Sequence, residues 1–362
     1  MPVRTAIIGG AAAVCALAAA SVFGASLARL AATPAAYGWT WDLSVGNFTH
    51  PAEVRRAAGV LDAFPMVSSY RATAPGPLLI DGNQVEVLIF ERGRGTVPLQ
   101  LLDGREPVRP DEIALGPMTM RTLGKHLGDT VAVAPIDPGK ASQRLRVVGQ
   151  LVLSAGPLDT AIAPGKGAVV DFEVLRRFYP EPDAAVPQAF FVRLDPAVDH
   201  TQAVDSLQRS FPGTVVRPLP HPDITNIQRV VYLPGLLSTL VALLALGTVI
   251  HALVSSVRRR RRDLAVLKTL GFLPRQVSAT VACQATAFAA AAVLAGLPAG
   301  VAVGRWAWRL VADQLGVVSE PVVPSLQTLA VAGGAVVVAN LIAIGPGWAA
   351  GRLRPAIVLR SE

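Results

Sequence analysis

Residues that could do covalent chemistry are spread thinly along this sequence. Its polar part contains four histidines: His50, His126, His200 and His221. None of them lies in a His-Glu-x-x-His motif, and the sequence holds no Gly-x-Ser-x-Gly and no P-loop motif. Pro164-Gly165-Lys166-Gly167 has the composition of a turn and lacks the spacing of a phosphate-binding loop. We therefore predict that the chain is not an enzyme.

The two cysteines predict neither a disulfide nor a metal site. Cys15 and Cys283 each lie within a long apolar run, far apart in the sequence. A free cysteine in such a setting behaves as a small apolar residue. We predict that the chain itself binds no metal and no cofactor.

Residues that could bind a partner are concentrated in segment 258–276. The segment begins with five arginines: Arg258, Arg259, Arg260, Arg261 and Arg262. Arginines directly after an apolar run mark the cytoplasmic side of a membrane and attract anionic lipid headgroups. We interpret the five arginines as a basic collar at the membrane surface.

The rest of this segment predicts a short amphipathic helix. Leu264 and Leu267 recur at a helical spacing after the collar. Gly271 suits the left-handed residue that ends a helix, and Pro274 suits the first turn of the next one. The sequence therefore predicts a cytoplasmic hairpin between two membrane helices, where a cytoplasmic partner could push on both.

The composition is typical of a membrane protein. Of the 362 residues 52% are hydrophobic and 16% charged, whereas about a quarter of a soluble domain is charged. The net charge of +8 is unevenly distributed, because residues 38–229 hold 19 basic and 21 acidic residues. Residues 258–276 hold seven basic residues and one acidic residue. The basicity therefore lies beside a membrane, and we expect no nucleic-acid partner.

Four apolar runs are long enough to cross a bilayer, for which about 20 residues suffice. We predict transmembrane helices at 5–31, about 230–257, about 277–306 and about 326–350. A cleaved signal peptide is the alternative for the first run, which follows Arg4. We favour a retained span, because Leu27 and Leu30 continue the run past any evident cleavage site.

Small and polar residues inside these runs indicate how the helices pack. Gly296, Gly300 and Gly304 allow neighbouring helices to approach closely. Gln284 and Asn340 are expected to form hydrogen bonds across helices, and contact with a substrate is the alternative role.

Between the first two runs the sequence changes to that of a folded domain. Strand-like stretches occur at 78–80, 85–90, 130–133, 146–149 and 189–194, separated by Gly/Pro/Asp turns. Helical stretches occur at 51–61, 117–127 and 201–211. The mixture predicts an α+β domain.

The predicted fold class is a membrane protein with four transmembrane α-helices and an α+β extracytoplasmic domain inserted between helices 1 and 2. The predicted parts are an N-terminal transmembrane helix within 1–36, the external domain at 37–229 and a three-helix membrane domain at 230–362. With 258–276 on the cytoplasmic side, the external domain and residues 314–324 lie outside and both termini lie inside. We therefore expect a multi-pass protein of the plasma membrane.

Three segments resemble those of a known family. Residues 258–277, RRRRRDLAVLKTLGFLPRQV, resemble a cytoplasmic helix that ends in Leu-Gly. Residues 110–116, with Leu123-Gly124 and residues 127–131, resemble an external core domain in which a helix leads to a Gly-Asp turn and a strand. The tail, 352–360, is similar to the family's ending. The family is that of FtsX/MacB-like permease subunits of ATP-binding-cassette (ABC) systems.

The resemblance implies a function and a set of partners. It implies that residues 230–362 form an FtsX-like permease domain, with a separate cytoplasmic ATPase subunit that binds ATP and Mg²⁺. It also implies a second permease half, identical or related, within the membrane lipids. The ATPase contact that it implies consists of Asp263, Leu264, Leu267, Leu270, Gly271 and Phe272. ATP hydrolysis would then drive the extracytoplasmic movement or export of a lipid, lipoprotein, peptide or drug.

Other functions are compatible with the same layout. A signalling or scaffold protein could use the external domain to regulate a cell-wall hydrolase or a sensor without moving any cargo. Residues 2–4, 23–27 and 37–42 resemble the C-terminal half of longer, duplicated actinobacterial-type permeases, so a non-functional half is another alternative. A membrane-anchored enzyme rests only on the presence of an external domain.

Overall fold

The structure is a computed structural model that describes residues 2–137, 139–153, 162–163, 165–181, 185–217, 232–259 and 274–351. The chain separates into two units. The membrane unit comprises residues 1–29, 227–310 and 320–362, and the external unit comprises residues 30–226 and 311–319. The domain boundaries that the sequence suggests at residues 36 and 229 stay predictions.

Along the chain, one long helix is followed by strands and short helices and then by three more long helices. The long helices are α1 (Pro2–Ala32), α6 (Tyr232–Arg259), α7 (Pro274–Leu315) and α8 (Ser325–Gly351). The short helices are α2 (Pro51–Ala63), α3 (Pro117–Leu123), α4 (Phe172–Phe178) and α5 (His200–Ser210). The strands are β1 (Leu43–Gly46), β2 (Val67–Ile80), β3 (Asn83–Glu91), β4 (Gln100–Gly104), β5 (Glu112–Leu115), β6 (Thr130–Pro135), β7 (Gln143–Val152), β8 (Ala168–Asp171), β9 (Ala189–Leu194) and β10 (Val215–Val216).

The long helices have the composition of membrane spans. Among the described residues, three stretches are long and apolar enough to cross a membrane: Ile7–Ala32 in α1, Ala279–Leu315 in α7 and Ser325–Gly345 in α8. The described apolar stretch of α6 is shorter, Gly235–Leu244. The predicted fold class, a membrane protein with an α+β domain inserted between the first and second of four long helices, is confirmed.

Helices α1 and α7 pack against each other through glycines. A Cβ atom at Gly300 would lie 2.5 Å from the carbonyl oxygen of Cys15, and one at Gly304 would lie 2.8 Å from that of Ala19. Gly296, one turn earlier, is equally crowded against α1. Any larger residue would push the helices apart, so the close approach predicted at these glycines is confirmed.

The strands described in the external unit form one mixed sheet. Its order is β10-β1-β9-β2-β3-β8-β5-β7-β4, and β6 pairs with both β2 and β7. The pairs β3/β8 and β5/β7 are parallel, and the other pairs are antiparallel. Strand β2 pairs with β9 along its first half and with β6 at its end, so it connects the two ends of the sheet. The five strand-like stretches predicted from the sequence all lie in strands.

Two hydrophobic cores are built on this sheet. The first lies between helices α2 and α5 and strands β1, β2 and β9, and includes Leu43, Leu61, Phe190, Ala203 and Leu207. The second joins helices α3 and α4 to strands β3, β5, β6, β7 and β8, and includes Ile113, Met120, Val147, Phe172 and Val174. Each helix covers one apolar face of the sheet, as the α+β class requires.

Helix α3 is shorter than the sequence suggests. The prediction of a helix over 117–127 is wrong at its end, because Gly124 adopts a left-handed φ of 61° and its N–H donates to the last turn. Gly128, with a φ of 93°, then leads through Asp129 into β6. The arrangement of helix, Gly-Asp turn and strand that the motif implies is therefore present.

Candidate functional site

The predicted ATPase contact lies outside the described residues. This applies to Asp263, Leu264, Leu267, Leu270, Gly271 and Phe272. The basic collar is described in part: the backbone of Arg258 and Arg259 forms the end of α6, and Arg260, Arg261 and Arg262 lie outside. The chain resumes at Pro274, which begins α7 as predicted. The roles of these residues stay predictions.

The helices on both sides of this segment are long. Helix α6 is described as far as Arg259, and α7 is described from Pro274 onward. Helix α7 has 42 residues and is therefore about 63 Å long, roughly twice the 30 Å thickness of a bilayer's hydrocarbon core. Helix α7 is therefore longer than a single crossing of the bilayer requires.

A polar pair joins α7 and α8 within the membrane unit. The Thr286 hydroxyl donates to Asn340 Oδ1 at 3.1 Å, and Asn340 Nδ2 donates to the carbonyl oxygen of Val336 at 2.9 Å. The predicted hydrogen bond of Asn340 across helices is confirmed. For Gln284 the same role stays a prediction.

An apolar cavity of about 330 Å³ lies among the four long helices of the membrane unit. Its lining residues include Gly10, Leu17, Leu246, Phe288, Ala292 and Ile342. All described lining residues are apolar, so this space suits hydrocarbon and offers no group for covalent chemistry.

The external end of α7 is held within the external unit. Arg121 Nη2, on α3, donates to the carbonyl oxygen of Asp313 at 2.7 Å. The N–H of Val318 donates to the carbonyl oxygen of Ala36 at 3.2 Å, and Val317 is buried. The last turn of α7 therefore has fixed partners in the external unit.

Two glycines make backbone contact at this place. Gly165 and Gly316 have φ values of 77° and 67°, in the left-handed region that favours glycine. A Cβ atom at Gly165 would lie 2.6 Å from the Cα of Gly316, and one at Gly316 would lie 2.8 Å from Pro117 Cγ. We call the set Pro117, Arg121, Gly165, Asp313 and Gly316 the α7 anchor.

The buried carboxylate of Glu112 has a structural role in the external unit. It is buried and accepts hydrogen bonds from the Arg105 guanidinium and from the N–H groups of Val108, at 3.0 Å, and Arg109, at 3.3 Å. The hydrogen bond from Arg105, followed by these N–H groups, lowers the pKa of Glu112 to about 2. A carboxylate held in this way stays charged and does not exchange protons near neutral pH.

The three described histidines of the external unit lie in separate elements and are not assembled into a reactive group. His50 precedes α2, where its N–H donates to Glu53 Oε2 at 3.3 Å, and His200 begins α5. The backbone N–H of His126 donates to Asp129 Oδ2 at 2.8 Å, and His221 lies outside the described residues. Over the part of the chain that the structure describes, no cluster of three His, Cys, Asp or Glu side chains could hold a metal ion.

Comparison with known proteins identifies the membrane part of the chain. Residues 235–355 match the family described as FtsX-like permease C-terminal. This part belongs to the FtsX-like permease family. The match covers α6 from residue 235 onward, segment 260–273, α7 and α8.

Relatives match a longer part of the chain than the family model does. An uncharacterized ABC transporter permease of Mycobacterium tuberculosis is 29% identical over 257 residues, which are 68% of this chain and 62% of that protein. One from Mycobacterium bovis is 30% identical over 254 residues, 67% of this chain and 62% of that protein. The matched part therefore spans less than two thirds of the length of these relatives.

Solved structures of external domains also show some similarity. The periplasmic region of MacB from Actinobacillus actinomycetemcomitans is 11% identical with a TM-score of 0.33, covering 54% of this chain and 94% of that chain. The extracellular domain of the noncanonic ABC-type transporter YknZ from Gram-positive bacteria is 16% identical with a TM-score of 0.32, covering 49% and 99%.

The α7 anchor was not predicted from the sequence. Gly316 follows the last helical residue, Leu315, and so carries the signal of a helix end. The contact with Gly165 and Arg121 carries no such signal, because these residues lie far away along the chain and in unrelated elements.

Proposed function

We propose that this FtsX-like chain is a permease subunit of an ABC system. In this proposal a separate cytoplasmic ATPase subunit binds ATP and Mg²⁺. Hydrolysis drives the extracytoplasmic movement or export of a lipid, lipoprotein, peptide or drug. The observation that carries the proposal is the match of residues 235–355 to the FtsX-like permease family. The uncharacterized ABC transporter permeases among the relatives support it.

The layout of the helices suggests how the work of the ATPase is transmitted. In our proposal, the ATPase binds the segment between α6 and α7 at Asp263, Leu264, Leu267, Leu270, Gly271 and Phe272. The arginine collar holds that segment at the anionic membrane surface. Movement of the segment displaces α6 and α7 together, and α7 is long enough to carry the displacement to the external side.

The proposal includes a second permease half and a defined orientation. The partner half is either a second copy or a related chain, and both lie in the plasma membrane. In this proposal both termini and the hairpin lie in the cytoplasm, because arginine clusters that flank membrane helices favour the cytoplasmic side. We propose that the chain acts as a transporter component and not as an enzyme, which the match to the FtsX-like permease family supports.

The experiment that tests this proposal is a detergent pull-down with ATPase activity measured in the eluate. The test variant is Leu267→Asp/Leu270→Asp, which places two charges on the apolar face of the predicted hairpin helix. The matched control is Leu102→Asp/Leu127→Asp, which adds the same charges at two partly exposed positions of the external unit.

We expect wild type and the control to retain an ATPase and the hairpin variant to lose at least 90% of the activity. A well-folded wild-type chain that retains no ATPase from its native membranes would contradict the permease proposal. Equal retention by the hairpin variant would contradict the assignment of the docking site.

A further inference from the structure

The apolar cavity among the four long helices, which we call the membrane cavity, is elongated along the helices. Its lining extends from Ala285 to Ala292 on α7 and from Ala330 to Ile342 on α8. With a rise of about 1.5 Å per residue, these stretches are about 10 Å and about 18 Å long. One leaflet is half of the roughly 30 Å hydrocarbon core, or about 15 Å. The cavity therefore has about the length of one acyl chain.

The walls of the membrane cavity lack side chains large enough to fill it. Ten of its 17 described lining residues are glycine or alanine, and none of the 17 has a polar side chain. A buried water needs two to four polar partners, so this space does not suit water. An empty space of about 330 Å³ is also unfavourable, because the lining atoms lose their dispersion contacts. The cavity therefore suits an apolar occupant.

The membrane cavity opens along one side of α8. Ala330, Gly334 and Val338, four residues apart, all line the cavity and are all exposed. In contrast, the walls on α1 and α7 are closed, since Val14 and Ala285 are buried. The exposed residues lie within Ser325–Gly345, a stretch long and apolar enough to cross a membrane. The surroundings of the opening are therefore lipid tails.

We propose that the membrane cavity binds one acyl chain of a phospholipid from the surrounding bilayer. The chain enters beside α8 and packs against Phe288 of α7 and Leu17 of α1, which line the cavity. It completes the packing between the four helices, while its headgroup stays at the membrane surface. This inference goes beyond the proposed function and does not depend on an ATPase.

The test is photolabelling of the full chain in vesicles of phosphatidylethanolamine and phosphatidylglycerol. The probe is a phosphatidylcholine with a diazirine in the middle of one acyl chain, added as a minor component. Mass spectrometry then locates the labelled residues. Phe288 reports on the membrane cavity, which it lines. Leu294, on the same helix, is 76% exposed and does not line the cavity, so it reports on the surrounding bilayer.

Two neighbouring glycines of α8 provide the test variant and its matched control. A Cβ atom at Gly333 or at Gly334 would meet no atom within 4 Å. Of these two glycines, only Gly334 lines the membrane cavity. Gly334→Leu therefore fills part of the cavity, whereas Gly333→Leu adds the same side chain outside it.

We expect Phe288 and Leu294 to be labelled in wild type and in Gly333→Leu. In Gly334→Leu the labelling of Phe288 should fall at least fivefold relative to that of Leu294. Ala330→Leu, one turn earlier along the opening, is the second variant if Gly334→Leu does not fold. It should reduce the labelling of Phe288 in the same direction.

Two results would overturn the inference. One is a wild-type chain labelled at Leu294 but not at Phe288, which would mean that helix packing or a second copy of the chain closes the cavity to lipid. The other is labelling of Phe288 in folded Gly334→Leu or Ala330→Leu equal to that in Gly333→Leu. The pull-down of an ATPase bears on the proposed function alone, so the failures of the two proposals are distinguishable.

Discussion

Glu112 illustrates how one side chain holds a local structure in the external unit. It begins β5, and its carboxylate reaches back to Arg105 and to two backbone N–H groups of the loop before it. Buried N–H groups need partners, and a charged acceptor is among the strongest available. The Glu112 carboxylate therefore helps to fix the loop between β4 and β5.

We predict that Glu112→Gln lowers the free energy of unfolding by about 2–3 kcal/mol, because charge-assisted hydrogen bonds are lost. The measurement is thermal unfolding of the full chain in detergent, followed by the fluorescence of Trp39 and Trp41, which are buried in the external unit. Glu173→Gln is the control, since Glu173 is about half-exposed in its ion pair with Arg176. An equal effect of both substitutions would contradict the role of Glu112.

The same residue predicts a dependence on pH. The pKa of Glu112 is lowered by Arg105 and the backbone to about 2, from an ordinary value of 4.5. Its contribution is therefore fully present above pH 4.5 and is lost as the pH falls from 4.5 towards 2. We expect the difference in melting temperature between wild type and Glu112→Gln to be largest at pH 7 and to shrink at pH 3. A difference that stays constant over this range would exclude ionisation as the cause.

At the scale of elements, the pairing of α1 with α7 depends on the absence of side chains. Glycine inside a helix is unfavourable by about 1 kcal/mol relative to alanine, so glycines on this face must have another use. Their use is close contact between backbones, which membrane helices exploit because lipid supplies no hydrophobic force between them.

We predict that substitution by alanine has different effects on stability at two glycines of these helices. Gly24→Ala in α1 meets nothing within 4 Å and should leave stability unchanged or raise it by up to about 1 kcal/mol. Gly300→Ala would place a Cβ 2.5 Å from the carbonyl oxygen of Cys15 and should destabilise by about 1–3 kcal/mol. The measurement is unfolding in increasing SDS, followed by circular dichroism. Stabilisation by both substitutions would show that α1 and α7 are not in contact.

At the scale of the whole molecule, the orientation in the membrane is open to direct test. The prediction is that the external unit faces outward and both termini face the cytoplasm. Cysteines can be placed by Thr201→Cys and Ser361→Cys in a chain that also carries Cys15→Ala and Cys283→Ala. We expect an impermeant maleimide to label the Thr201→Cys chain in intact cells. The Ser361→Cys chain should be labelled at least tenfold more strongly after permeabilisation than in intact cells. Labelling of Ser361→Cys in intact cells would contradict the predicted cytoplasmic location of the C-terminus.

The sequence by itself determined the features that depend on local pattern. The length of the apolar runs predicts the long helices. The stretches 85–90 and 189–194 predict strands, because they are rich in β-branched and aromatic residues and are separated by turn residues. Segment 258–277 resembles the FtsX-like family together with residues 110–116, 127–131 and 352–360. Length and periodicity are properties of neighbouring residues, and no long-range packing is needed to express them.

Only the tertiary structure decided which distant residues meet. Helix α7 extends to Leu315, beyond the predicted end near Trp306, because Arg309 and Asp313 interrupt the apolar run but not the helix. The partners of its last turn, Arg121 and Gly165, lie elsewhere in the chain, as does Arg146 of β7, which pairs with Glu112 of β5. Such contacts follow from how whole elements pack, and the local spacing of residues does not encode that packing.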